Sequence, residues 1–376
     1  MKIRFAASVA VAVATLGAAA CSAPSTNESG DTSAADLSRT ASSTRVHVMP
    51  LRTASTDRSL KAADVAGPAG AKLRNFGGPV ISSVKVYAVY WGSGVQFQDH
   101  LNAFFPAVTN SVYFDWLSEY NSSTGAIGRG SFGGSVVDTT APTSGTVTDA
   151  QVQARIAKLI DAGKLPANDG SNLYMNYFAP GVTVTGPNGS GTSCVEFCAY
   201  HGTFTKGGND AFYGVMPDLG GACASGCGNG TAQDNITEVS SHEMIEAVTD
   251  PAVGLATTAG PPLAWYDQTH GEIGDICAGN AGVVAGFTVQ LEWSNKLNTC
   301  TATAGLSDPG GSSSGGSSSG GADTCSHDVC TTGTKLTTTC DACATQVCAQ
   351  DAFCCKTKWD ATCVKQVATA CAQSCN

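Results

Sequence analysis

The run NITEVSSHEMIEAVTDP, residues 235–251, decides how the rest of the chain is read. Ile236, Val239, Ile245 and Val248 recur at helical spacing and Pro251 closes the run, so a helix is expected over 235–249. On that helix His242 and Glu246 lie four apart and share a face, with Glu238 one turn back on the same stripe. A metal needs convergent donors held rigidly, and a helical i, i+4 pair supplies two of them. The spacing here is His-Glu-x-x-Glu. Zinc peptidases use His-Glu-x-x-His, with the first Glu as general base toward a metal-bound water. A carboxylate in place of the second histidine still ligates. His242 and Glu246 are therefore candidate metal ligands, and Glu243 is the candidate catalytic base. The same residues also suit a solvated helix face supported by i, i+4 charge pairs, and the motif alone does not choose.

Downstream, Trp265-Tyr266-Asp267 is followed by HGEIGDIC over 270–277. Asp267, Glu272 and Asp275 stand close to Cys277, whose cross-link would anchor them. The bland reading of this stretch is an Asp/Gly turn with its carboxylates in water. A further histidine, His201, follows Cys198 in the run CAYHG. Asp275, Glu272 and His201 are the candidates for a third metal ligand or for an outer partner that orients His242. The imidazoles favour Zn2+. An all-oxygen Asp/Glu cluster would favour Ca2+ instead, so both cations stay open.

Around these motifs the chain alternates strand and helix signals. Residues 84–90, 173–178 and 212–216 read as strands, and Phe287, Val289, Leu291 and Trp293 alternate as a closing strand. Helical spacing runs through 97–120 with an interruption expected at Pro106. Thr148-Asp149-Ala150-Gln151 has the form of a capping box, and Gly163 stops the helix it opens. The sum is a single mixed α/β domain, within the size one core supports.

Seventeen cysteines set the compartment. Met1–Arg4 carry two positive side chains, residues 5–20 carry none, and Ala-Ala-Ala-Cys21 follows, which reads as a signal peptide with a lipobox at 1–21. Setting Cys21 aside leaves even numbers in the two cysteine-bearing regions, as expected where each closes its own disulfides outside the cytoplasm. A lone exported thiol is less usual, so Cys21 is read as lipidated rather than simply cleaved away. Residues 22–76, rich in Ser, Thr and Ala, read as a disordered tether or propeptide. The α/β domain spans 77–303, a Gly/Ser linker spans 304–323, and 324–376 form a small disulfide-rich module.

A net charge of −10 without basic runs makes nucleic acid a poor partner, and no later stretch is apolar enough for a membrane span. The membrane is reached only through a lipid at Cys21. Composition sets no oligomeric state. Oxidised cysteines argue against a thiolate nucleophile, and neither a phosphate loop nor a Gly-x-Ser-x-Gly elbow is present.

Several segments together carry a resemblance. They are Gly77-Gly78-Pro79-Val80 leading into a strand, Cys194-x-x-x-Cys198-Ala199-Tyr200-His201-Gly202, and Cys223-x-x-x-Cys227. Ser241-His242-Glu243-x-x-Glu246 with Pro251 follows, then Trp265-Tyr266, Glu272-Ile273-x-Asp275-x-Cys277 and Cys300. In order and rough spacing, residues 77–303 resemble the EXORDIUM-like, or phosphate-induced, protein family. The resemblance implies a secreted, wall- or matrix-associated protein and brings no reaction with it. It matches His201, His242, Glu243, Glu246, Glu272 and Asp275, with Asp250 and Asp267 less firmly placed.

The expectation is a zincin-like metal site on an exported domain. Its activity would be metallopeptidase-type hydrolysis of an extracellular protein. The alternative is a non-enzymatic matrix or polysaccharide-binding protein whose His/Glu cluster is a structural metal site or an ion-paired core. A hydrolase needs an open cleft beside Glu243, whereas a structural site would be closed with Glu243 paired.

Overall fold

The computed structural model describes residues 48–51, 64–306, 325–327, 329–337, 342–371 and 375. The expected leader with Cys21, most of the expected tether and linker residues 307–323 lie outside the described residues.

Six strands build the main sheet: β1 (Val48–Pro50), β2 (Lys85–Trp91), β3 (Ser131–Val137), β4 (Asn172–Phe178), β5 (Phe197–Lys206) and β6 (Asn209–Met216). Their spatial order is β1-β5-β6-β4-β2-β3. β3, β2, β4 and β6 are parallel, while β5 pairs antiparallel with β6 and β1 antiparallel with β5. The domain is mixed α/β. Alternation over 84–90 points to a half-buried strand, but Val86, Ala88, Val89 and Tyr90 are all fully buried. Helices lie on both faces, the arrangement that parallel strands require.

On one face, α1 (Gln98–Thr109) and α3 (Ala232–Thr249) share a core with Val86, Tyr90, Met175, Tyr177 and Met216. On the other, α2 (Asp149–Asp161) packs Val152, Ile156 and Leu159 against Val89, Trp91 and Tyr174. The capping box is formed at Thr148 and Gln151, and Gly163 takes up a positive φ of 67° just past the helix end. The interruption expected at Pro106 falls elsewhere. Proline removes one backbone donor, yet α1 runs through it to Thr109, with Phe104, Phe105 and Val108 buried under the sheet. The chain breaks helix only at Asn110 and resumes over Val112–Asp115.

α3 starts three residues earlier than its apolar spacing suggests, because Thr231 and Asp234 form a reciprocal cap. Every residue over 235–249 is buried, so the solvated-face reading of this helix does not hold. It is covered by β5, β6 and a hairpin of β7 (Ala281–Val284) and β8 (Phe287–Gln290). The expected closing strand over 287–293 is two strands. The chain bends at Leu291, whose N–H donates to the Asn280 carbonyl (2.8 Å), and β9 (Glu292–Ser294) pairs separately with β10 (Thr299–Thr301).

A tether extending to residue 76 is too long. Met49 is buried in β1, and Leu73 is buried near the site of an Arg74–Asn75 pairing with Trp265–Tyr266. Asn295 fixes Leu73 at both backbone groups (2.9 and 2.8 Å). These residues carry apolar side chains that complete the domain's core, which a Ser/Thr-rich average conceals.

The six central cysteines pair as Cys194–Cys223, Cys198–Cys227 and Cys277–Cys300. In the tail, Cys330–Cys375, Cys348–Cys355 and Cys354–Cys363 are bonded, and Cys325 and Cys343 are also in disulfides. The tail contains α4 (Ala342–Gln350), α5 (Phe353–Lys356) and α6 (Ala361–Cys371). Its cross-links do not wholly replace a core: Val329, Leu336, Ala344, Val347 and Val367 pack with fully buried Trp359. No helix among the described residues is long and apolar enough to cross a membrane.

Candidate metal centre

Three segments bring the candidate residues together. His201 lies on β5, where it pairs across to Gly214 and shares the α3 side of the sheet with Ala199. α3 contributes His242, Glu243 and Glu246. The loop after Trp265–Tyr266 brings Glu272 and Asp275. Two disulfides brace this assembly: Cys198–Cys227 ties β5 to the approach to α3, and Cys277–Cys300 ties the Glu272–Asp275 loop to β10. Gln290 adds a third brace. Its backbone N–H donates to Ser241 Oγ (2.8 Å), and its side-chain amide donates to the Gly274 carbonyl (2.9 Å).

The resulting contacts are close and converge. His201 Nδ1 lies 3.3 Å from Glu243 Oε2 and 3.6 Å from Glu246 Oε2. His242 Nε2 lies 3.2 Å from Glu246 Oε1 and 4.0 Å from Glu243 Oε1. Two groups of donor atoms are compact enough to hold an ion: His201, Glu243 and Glu246, and His242, Glu246 and Asp275. Ionic N–H···O contacts are normally about 2.7–2.9 Å. Ligands held at about 2.0–2.1 Å in a tetrahedron stand about 3.3–3.4 Å apart. The 3.2 and 3.3 Å spacings lie near that ligand–ligand edge, and the 3.6 and 4.0 Å spacings exceed it.

The orientation of the rings agrees. His201 Nε2 is 3.4 Å from the Asp250 carbonyl and 3.6 Å from Glu272 Oε1. A proton on Nε2 leaves the Nδ1 lone pair facing Glu243 and Glu246, the second-sphere arrangement that orients metal-bound histidines. Neither ring nitrogen of His242 makes a hydrogen bond, and neither does Glu243 Oε1. Glu246 Oε1 additionally accepts the Asp275 N–H (3.1 Å). Gly274 keeps space beside the cluster: a Cβ there would stand 2.6 Å from His242 Nδ1 and 2.8 Å from Glu246 Oε1.

Charge makes the site unusual. Glu238, Glu243, Glu246, Asp250, Glu272 and Glu292 are all buried, while no Lys or Arg among the described residues is. Desolvation would strip the proton from both imidazoles. The acids around them, Glu272 foremost for His201 and Glu246 for His242, push both well above the ordinary histidine value. Burial pushes Glu243 up, and pushes Glu272 and Glu292 far up. Burial acts on Glu246 too, but the two histidines outweigh it and hold that carboxyl below the usual range. Buried charge of this kind persists only when paired or when it binds a cation.

All of His201, His242, Glu243, Glu246, Glu272 and Asp275 therefore meet in one place. Glu272 sits against the far nitrogen of His201, outside both donor groups. Asp267 does not join them. It structures its own loop, accepting from the backbone of Lys72, Thr269 and His270 (2.6, 2.8 and 3.1 Å). Glu292 was not a sequence candidate, because the 287–293 alternation assigns it to a solvent face. In the fold that face turns inward, and Glu292 Oε1 accepts from the Tyr113 hydroxyl (2.9 Å). Nothing in its local sequence marks it.

A family model described as a domain of unknown function (DUF8252) matches residues 323–375, the cysteine-rich tail. No curated protein and no solved structure matches the chain.

Proposed function

We propose that the α/β domain is an exported metalloprotein domain whose closed His/carboxylate centre holds a divalent, zinc-type cation that secures the fold. The observation that carries this reading is the set of buried carboxylates gathered on two imidazoles with no buried Lys or Arg beside them. The imidazoles favour zinc over calcium, which prefers oxygen donors alone. Burial favours a structural role: His201, His242, Glu243 and Glu246 are each at most 2% exposed, and Glu243 Oε2 is engaged by His201. The signal sequence, the disulfides and the EXORDIUM-like order of segments support a surface or matrix protein that engages extracellular protein or polysaccharide through its exterior.

A zincin-like metallopeptidase is the second reading. One observation favours it: Glu243 Oε1 makes no hydrogen bond and lies 4.0 Å from His242 Nε2, close to where a general base would face a metal-bound water. Metal analysis of the full chain and its Glu243→Gln variant, beside an assay on protein substrates, separates the two. The structural reading expects bound metal, no hydrolysis and a variant depleted of metal. Hydrolysis by the wild type that Glu243→Gln abolishes at full metal content would establish the peptidase. Metal-free wild-type protein, purified without chelator, would remove both.

A further inference from the structure

We infer that the centre takes a pair of divalent transition-metal ions bridged by Glu246. This rests on the metal reading above and deepens it. The two compact donor groups share Glu246, and each carries one of the two imidazoles. Glu246 Oε2 faces His201 Nδ1, and Glu246 Oε1 faces His242 Nε2. A single ion chelated by both oxygens would lie between them and draw both imidazoles to itself, yet each group of donors lying within 4.8 Å of one another holds only one imidazole. Here each oxygen has its own imidazole, which is the disposition of a bridging carboxylate.

Glu243 spans the same gap. Its Oε2 is on the His201 side and its Oε1 on the His242 side, at 3.3 and 4.0 Å. Asp275 completes the His242 group. Each ion would gain one imidazole and share carboxylates with the other, as in two-metal sites, whose ions usually lie about 3.5–4 Å apart. Glu243, Glu246 and Asp275 supply the carboxylates of the two donor groups, with Glu272 beside His201. Mixed imidazole and carboxylate donors suit zinc, manganese or ferrous iron rather than calcium or magnesium.

The test is metal stoichiometry on the full chain reconstituted with Zn2+, with His201→Gln, His242→Gln and Glu246→Gln alongside. Two ions per chain are expected, falling to one in either histidine variant and to none in Glu246→Gln. One ion per chain, or a second ion that survives Glu246→Gln, overturns the pair while leaving a mononuclear metal site standing. No ion removes the metal reading altogether. Because a variant can fail to fold, wild-type protein loaded with Mn2+ gives an independent measurement. A spin-coupled resonance supports the bridge, and the spectrum of isolated Mn2+ overturns it.

Discussion

The two faces of the central sheet treat buried acid in opposite ways. On the α2 face, Asp149 accepts from the hydroxyls of Tyr200 and Tyr213 (2.9 and 2.6 Å) and from the Gln153 amide (2.8 Å). Asp138, on the same side, is gripped by the Arg155 guanidinium and by Thr140. Each acid there meets donors that the chain itself supplies. On the α3 face, a larger group of acids meets two imidazoles at ligand-like spacing, with no buried Lys or Arg. One face is complete as a polypeptide. On the reading proposed above, the other is completed by a cation, since burying charge without adequate compensation costs several kcal/mol per ion.

Removing that cation should therefore produce the largest effect. A strong chelator is expected to lower the melting temperature of the full chain by about 10 °C or more, judged by the linkage between metal binding and stability. Differential scanning calorimetry with and without chelator checks it. A melting curve indifferent to chelator would place the two faces on the same footing and break the contrast. Next is the brace between β5 and α3. The double variant Cys198→Ser/Cys227→Ser opens a link across 29 residues of sequence, which should cost about 3 kcal/mol. Its metal affinity should fall as well, because His201 lies three residues from the lost bond. Loss of stability with unchanged metal affinity would show that the disulfide supports the fold without organising the ligands.

Gly274 offers a finer probe. Its φ of −78° is open to any residue, so alanine there meets no backbone strain and intrudes first on His242 and Glu246. Metal affinity is expected to drop about 10- to 100-fold, as when outer contacts of a metal ligand are disturbed. Gly260→Ala, where a Cβ meets nothing within 4 Å, should leave affinity unchanged. Competition titration with a chromophoric chelator reads both. Equal affinities in the two variants would move the ion away from His242.

Much of the α3 face was legible in the sequence, since local spacing set it. The apolar positions of 236–248 fix the helix, and the i, i+4 relation fixes His242 and Glu246 on one side. His201, Glu272 and Asp275 were reachable because cysteines flank them, and cross-links hold such segments close. Glu292 was not legible. Alternation tells which side chains share a strand face, but not whether that face meets water or a second layer. The same ambiguity explains β2, which alternates yet is buried on both sides. Residues 64–76 were hidden differently. A few apolar side chains such as Ala71 and Leu73 decide their packing, and a composition average over a Ser/Thr-rich stretch dilutes them.

The α2 face gives the smallest expected effect, and one with a distinct pH signature. Burial raises the Asp138 carboxyl, but the Arg155 and Thr140 hydrogen bonds outweigh it and hold its pKa below the ordinary 3.8. A folded-state value below the unfolded one contributes stability that is present above the unfolded pKa and lost as pH falls through the folded one. Asp138→Asn keeps the shape and removes the charge. At neutral pH it should destabilise the chain by about 1–3 kcal/mol, between the values for exposed and fully buried pairs, because Arg155 is partly solvated. The difference from wild type should shrink as pH is lowered below 3.8, since the wild-type carboxyl is then protonated too. Chelator should leave this difference untouched at neutral pH, because the pair is completed by the chain alone. A variant whose deficit depended on metal would show that the two faces are coupled through β4 and β6, and that the division between them is incomplete.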